Sequence, residues 1–427
     1  MIHVVQPGDT LAAIAQNYGV SMARLRSDNG LPANQLLVPG QALVVLRPRQ
    51  IYEVRPGDTL CSIAGSAGLT VNRLLQCNPT LAADPDLVPG QVLTLRLEGE
   101  PEMTLTVGGY AYPQVGGEVL AGALPFLTDL SVFSYGFRDD GTLVVPPDEG
   151  LLAQGKAFGA GLMLVLASID DSETFSSAHV SRFLNNEAAQ DKVLAALLPV
   201  MAEKGYRGLD VDFEYIPPED KEKFLAFLGK AREVLHAHGL VLHAALAPKT
   251  RPDQPGLLYE AHDYAAIGAL VDSALLMTYE WGYAYGDPMA VAPLPQVREV
   301  AEYAVTAIPT WKLQLGIPNY GYDWTLPPAA HRRARVVGSQ EAVTIAARMG
   351  AEIHYDTQAQ TPTFRYRQDG QEHQVWFEDA RSIQAKLRLA QELDLAGVGY
   401  WSLMRPFAQN WALLSQLVRV RRGEGTL

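Results

Sequence analysis

From Met103 onward the sequence alternates between short apolar runs and amphipathic stretches, and this rhythm constrains the fold most tightly. The apolar runs read "TLTVGGYAY", "LSVFSYGF", "GLMLVLASI", "RGLDVDFEY", "LVLHAALAP", "SALLMTYEW", "LQLGIPNYGY" and "AGVGYWSL". They are short and bounded by turn residues, as strands buried on both faces are. Between most of them lie helical patterns such as "EAAQDKVLAALLPVMAEKG" and "PPEDKEKFLAFLGKAREVLHAHG". In the second pattern Pro217 and Pro218 suit a helix start and Gly239 its end. Eight strands alternating with helices over roughly 300 residues predict an α/β fold, a (β/α)8 TIM barrel over residues 103–421. Between about Val336 and Phe377 an extra piece precedes the eighth strand. It holds one helix and a meander turning at Asp369-Gly370, an α+β insertion expected beside the barrel mouth.

Barrel chemistry gathers at the C-terminal ends of strands. The fourth run, "GLDVDFEY", places Asp210, Asp212 and Glu214 on one face and Leu209, Val211 and Phe213 on the other. Three carboxylates at that spacing repel one another, and burying them costs free energy unless protons or hydrogen bonds compensate. Met277, Tyr279, Glu280 and Trp281 end the sixth run, Asn319 and Tyr320 the seventh, and Tyr400 and Trp401 the eighth. Carboxylates beside tyrosine and tryptophan suit a sugar, whose hydroxyls need acceptors and whose faces stack on aromatic rings. The same carboxylates could hold a divalent cation. No histidine or second acidic cluster has obvious ligand spacing, so no metal or other cofactor is expected. His243 and His262 read as structural.

The first hundred residues repeat. "VVQPGDTLAAIAQNYGVSMARLRSDNGLPANQLLVPGQALVVL" from Val4 matches "EVRPGDTLCSIAGSAGLTVNRLLQCNPTLAADPDLVPGQVLTL" from Glu53. Each copy reads strand, turn, helix, helix, turn, strand, giving two small modules over residues 2–47 and 50–97. Thr10 and Thr59 are placed to cap the first helix, with Asp9 and Asp58 adding charge near its start. The "PGDTLxxIA … N … VPGQ" pattern resembles the LysM module, a βααβ unit that binds glycans containing N-acetylglucosamine. The resemblance implies a glycan lying against Gly8, Asp9 and Thr10 with Asn34 to Leu37, and against Gly57, Asp58 and Thr59 with Asp84 to Leu87. Two linked copies raise avidity without tight single sites.

The formal charge of −13 argues against nucleic acid as the main partner, because phosphate binding wants a basic surface. "RVRR", Arg419 to Arg422, is the longest basic run and reads as a solvated tail. No stretch approaches the roughly 18 to 20 uninterrupted apolar residues of a membrane span. The N-terminus lacks the basic and apolar regions of a signal peptide, so synthesis and initial retention inside a cell are expected. Cys61 and Cys77 make no disulfide framework and are expected as thiols.

"GLDVDFE" is similar to the "DGxDxDxE" signature of glycoside hydrolase family 18, the chitinase family, and "MTYEW" to its "MxY(D/N)" segment. With the two leading modules, "IPNYGYDW" and "VWFEDARS" resemble the enzymes of that family that degrade spore-cortex fragments. The resemblance implies cleavage of N-acetylglucosamine linkages in peptidoglycan by a substrate-assisted, retaining mechanism. Carried onto this sequence, Glu214 is the acid and later base, and Asp212 orients the acetamide. Asp210 supports Asp212 from behind, Tyr279 hydrogen-bonds the acetamide carbonyl, and Trp401 stacks beneath the sugar. Met277, Glu280, Trp281, Asn319 and Tyr320 are the remaining candidate substrate contacts. The implied location is the spore coat or spore surface. Two positions depart from the pattern: Arg207 replaces the signature's first aspartate, and Glu280 stands where aspartate or asparagine is usual. A general chitinase, and a chitinase-like lectin that binds without cleaving, are the alternatives. Glu214 itself tells against the lectin.

Overall fold

A computed structural model describes residues 1–169, 175–328 and 332–422. The eight apolar runs form parallel strands β1 (Met103–Ala111), β2 (Asp129–Phe137), β3 (Gly161–Ala167), β4 (Gly208–Asp212), β5 (Val241–Leu246), β6 (Ser273–Leu276), β7 (Leu313–Pro318) and β8 (Gly397–Trp401). Each pairs with its successor, and β8 returns to β1 to close the barrel. A short strand, Val418–Val420, runs beside the start of β1 at the base.

Alternation on β4 sorts the side chains as expected. Leu209, Val211 and Phe213 are fully buried between barrel and helices. Phe213 stacks on Phe227, with ring centroids 5.5 Å apart and planes 9° apart. Phe227 belongs to the helix Lys221–His236, which buries Phe224, Phe227, Leu228, Ala231 and Leu235 along one stripe. Burial of each large apolar side chain stabilises by about 1.5–3 kcal/mol, and Phe227→Ala removes about 3–5 kcal/mol. A short 3-10 turn at Pro218–Asp220 leads into this helix, and Gly239 leaves it at φ 69°. The strand stops one pair earlier than its pattern suggests, at Asp212, and Tyr215 beyond it takes a left-handed φ of 55°.

The insertion is larger than the sequence indicates. Its five-stranded antiparallel sheet already begins at Gly321–Leu326, directly after β7, and continues through Arg335–Val337, His354–Asp356, Thr361–Gln368 and Gln371–Trp376. The "IPNYGYDW" run is therefore two strands of different sheets. Helix Ser339–Met349 covers this sheet with Val343, Ile345 and Ala346. The hairpin turn does fall at Asp369 and Gly370, both at positive φ.

Each N-terminal module is a βααβ unit with one antiparallel strand pair: Ile2–Val4 with Ala42–Val44, and Pro48–Glu53 with Val92–Leu97. Thr10 and Thr59 cap their helices as expected, accepting from Ala13 N and Ser62 N at 3.1 and 3.0 Å. The repeated asparagine pins helix to strand. The Asn29 amide donates to Leu25 O and Val44 O and accepts from Val44 N. Asn78 makes the same three bonds with Leu74 and Thr94. Cys61 and Cys77 are free thiols.

Both modules dock on the barrel. Gln409 reaches from the last helix, Ala408–Leu417, to Asn29 and Ala42 O in the first module. In the second, Gln76 donates to Pro125 O and Asn72 to Phe158 O. Gly40 approaches the insertion so closely that a Cβ there would lie 1.7 Å from Ile353 O. Its repeat counterpart, Gly90, faces open space. No helix among the described residues is long and apolar enough to cross a membrane.

Candidate active site

At the C-terminal end of the barrel a cavity of about 370 Å³ is lined by Asp212, Glu214, Tyr215, Pro248, Leu258, Tyr259, Met277, Tyr279, Glu280, Trp281, Tyr283 and Trp401. Strands β4, β6 and β8 thus bring together Asp212, Glu214, Met277, Tyr279, Glu280, Trp281 and Trp401, as their places in the sequence suggest. Asp210 lies one pair deeper and is fully buried. The Tyr110 hydroxyl, from β1, donates to its Oδ2 at 2.7 Å.

Burial dominates the electrostatics. Asp210 and Asp212 are each pushed up to about 7, first by desolvation; the Tyr110 hydroxyl opposes the shift at Asp210, whose charge adds to it at Asp212. Glu214 rises to about 8, through desolvation and then the Asp212 and Glu280 carboxylates. The set therefore keeps protons at neutral pH that free carboxyls would have lost. Oδ1 of Asp212 is buried with no hydrogen-bond partner. An acceptor so placed costs free energy until a donor arrives. Tyr279 is raised well above its ordinary value by burial and the carboxylates beside it, so its hydroxyl remains a donor.

Two non-glycine residues at the mouth hold left-handed backbone, Tyr215 after Glu214 and Glu280 after Tyr279, the latter at φ 70°. Such strain persists only where surroundings enforce it. At Glu280 they do: its carboxylate turns inward and accepts from the Tyr320 hydroxyl and from Tyr322 at 3.0 Å. Both tyrosines flank the start of the insertion sheet, so the insertion buttresses the site.

Two expected contacts lie elsewhere. Tyr320 stands behind Glu280 and does not line the cavity. Asn319 is buried, its amide spent on Ser402 O at 3.1 Å and Arg405 O at 2.9 Å. It ties the end of β7 to the loop after β8. Trp401 is held by edge contacts from Phe133, Tyr110 and Tyr112, with centroids 4.8, 5.7 and 6.0 Å away.

Arg207 sits at the other end of β4, its guanidinium donating to Asp129 Oδ2 at 2.5 Å. Five residue steps of about 3.3 Å each separate it from Asp212, and Glu214 lies two residues further on, so the departure leaves the acid untouched. His243 bonds Ser273 Oγ at 2.7 Å below the site. Nδ1 of His262 accepts from Ala247 N, leaving Nε2 to donate to Phe213 O, which steadies the backbone before Glu214. Burial pushes both histidines down to about 4, so they are neutral and structural.

In the modules, Gly8 and Gly57 both turn at φ 88°. Asp9 Oδ2 accepts from Gln6 N and bonds His3, while Asp58 Oδ2 accepts from Arg55 N and the Tyr52 hydroxyl. Those carboxylates close the turn, a role beyond the helix charge expected of them.

A closed barrel with a carboxylate-lined, aromatic-floored mouth is the frame of a glycosidase, and the family model of glycosyl hydrolases family 18 matches residues 153–405. LysM models match residues 3–45 and 52–96. The chain belongs to glycosyl hydrolases family 18 and carries two LysM domains. It is 42% identical to a cortical fragment-lytic enzyme of Bacillus subtilis (strain 168), over 98% of both chains. A cortical fragment-lytic enzyme of Bacillus anthracis is 37% identical over 97% of each. The crystal structure of the spore cortex-lytic enzyme SleL of Bacillus megaterium QM B1551 superposes with a TM-score of 0.83 at 35% identity, covering 99% of both chains.

Proposed function

We propose that this glycosidase cleaves N-acetylglucosamine linkages in peptidoglycan fragments of the spore cortex, using the substrate's own acetamide as nucleophile, and that it acts at the spore surface. The observation that carries the reading is a Glu214 carboxyl held up to about 8 at the cavity, beside the unpartnered Asp212 Oδ1. Full-length similarity to cortical fragment-lytic enzymes supplies the substrate.

In the first step Glu214 gives its proton to the glycosidic oxygen. The C1–O bond breaks as the acetamide carbonyl oxygen bonds C1, forming an oxazolinium ion. Asp212 accepts the acetamide N–H and offsets the positive charge growing there; Asp210 and Tyr110 fix its position. Tyr279 steers the acetamide carbonyl, and Trp401 carries the sugar's apolar face. In the second step the Glu214 carboxylate takes a proton from water, the hydroxide bonds C1, and the C1–acetamide bond breaks. Configuration is retained. The LysM domains hold the glycan near the mouth, through the Gly8–Thr10 and Gly57–Thr59 loops, by linked weak binding.

Mass spectrometry of solubilised cortex fragments incubated with wild type and Glu214→Gln tests this. New ends at reducing N-acetylglucosamine, from wild type only, are expected. Cleavage of chitin oligomers alone would make the protein a chitinase. Binding without cleavage of either would make it a lectin.

A further inference from the structure

A second, larger cavity of about 590 Å³ lies between the second LysM domain and the base of the barrel. Five arginines line it, Arg49, Arg73, Arg96, Arg419 and Arg422, with Glu100 as the one acid. The chain as a whole carries −13, so this is a local reversal of sign.

None of the five guanidinium groups has a carboxylate partner among the described residues. Arg73 donates to Gln76 Oε1 and Ser415 O, and Arg96 to Ala67 O. Arg422 spends its Nη groups on the carbonyls of Phe158, Leu124 and Pro125, while its Nε is buried without a partner. Burial alone acts on Arg422, with no neighbouring acid offsetting it. Like charges crowded into a partly walled cleft focus a positive potential, and planar guanidinium forks match carboxylate and phosphate oxygens in pairs. The "RVRR" run, expected to be a solvated tail, instead places Arg419 and Arg422 on one wall of this cleft.

The cleft is remote from the carboxylates of the barrel mouth. Its lining includes Arg419 and Val420, in the strand beside the start of β1, whereas the chemistry sits at the strands' opposite ends. It also lies off the Gly57–Thr59 loop of the second LysM domain. Its volume is that of a small-ligand site.

We propose that this cleft is an anion-binding site for a ligand presenting two or more carboxylate or phosphate groups. Such groups could belong to a free polyanion or to the acidic peptide stems of a wall glycan.

Titration calorimetry of the full chain at moderate salt tests the site, with tripolyphosphate, citrate, and peptide-bearing and peptide-free peptidoglycan fragments as probes. Arg49→Glu with Arg419→Glu is the variant, since both side chains are exposed and make no ion pair. Saturable binding of at least one anionic probe is expected, weakened at least about tenfold in the double variant. Hydrolysis of a short neutral oligosaccharide is expected to stay at the wild-type rate. Binding of tripolyphosphate or citrate alone identifies a free polyanion as the source; binding of peptide-bearing fragments alone identifies the glycan. No saturable binding of any probe, or equal affinity in wild type and variant, overturns the site.

Discussion

Replacing Glu214 by Gln removes one proton and one charge from the cavity while keeping the side chain's shape, and the variant should lose activity and gain stability together. The folded carboxyl sits at about 8 against an ordinary 4.5. An acid whose folded value is raised keeps its proton longer when folded, so its contribution is most favourable below the unfolded value and declines as pH climbs toward the folded one. The slope is about 1.4 kcal/mol per pH unit, so Glu214 alone costs up to about 3 kcal/mol at pH 7 relative to pH 4.5. Gln carries no such dependence. Unfolding midpoints measured by calorimetry should coincide for wild type and variant near pH 4.5. At pH 8 the variant should melt several degrees higher. Over the same series kcat/KM should fall about 10²- to 10⁴-fold in the variant, and that of wild type should decline above about pH 8 as the acid loses its proton. An equal offset at both pH values, or a wild type more stable at pH 8, would refute the argument that burial holds this proton.

Tyr279→Phe should lower kcat by about 10²-fold with little change in fold, since it removes the hydroxyl that aligns the acetamide carbonyl for attack on C1; steady-state kinetics on defined oligosaccharides reads this. Trp401→Ala should cut kcat/KM by about 10- to 100-fold, mostly through KM, the loss of a half-buried stacking face. Gly40→Ala and Gly90→Ala share a repeat position and a positive φ, yet only the first would press a Cβ onto Ile353 O. Gly90→Ala should therefore cost about 1–2 kcal/mol in denaturant titration, and Gly40→Ala more, with faster proteolysis between the first module and the barrel. Asn319→Ala should destabilise by about 1–3 kcal/mol, because the Ser402 and Arg405 carbonyls lose their donor.

The features legible in the sequence were those written locally. Each apolar run needs only a neighbourhood of about ten residues to recognise, the repeat needs only a comparison of the chain with itself, and the strand-end positions of Asp212, Glu214, Tyr279 and Trp401 follow from strand phase. Asn319 and Tyr320 also stand just past a strand end, but the chain leaves the barrel there for the insertion sheet. Their side chains turn behind the site, toward partners some 40 to 86 residues away that no local pattern marks. Tyr110 likewise ends β1, yet no local pattern marks its role, because its partner Asp210 is 100 residues distant. The rim tyrosines Tyr215, Tyr259 and Tyr283 come from loops, where periodicity is silent. Arg207 departs from the signature at the far end of the strand, at the barrel's base, where its partner is Asp129.

The central claim is that the substrate's acetamide, aligned by Asp212 and Tyr279, is the nucleophile and Glu214 the acid. Proton NMR of the first minutes of hydrolysis of a β-linked N-acetylglucosamine oligomer reads it most directly. The account predicts that the β-anomer of the new reducing end appears first and the α-anomer only by later mutarotation. It also predicts that an oligomer bearing a free amine in place of the reacting acetamide is not cleaved. Initial release of the α-anomer, or cleavage of the amine substrate at a comparable rate, would contradict it.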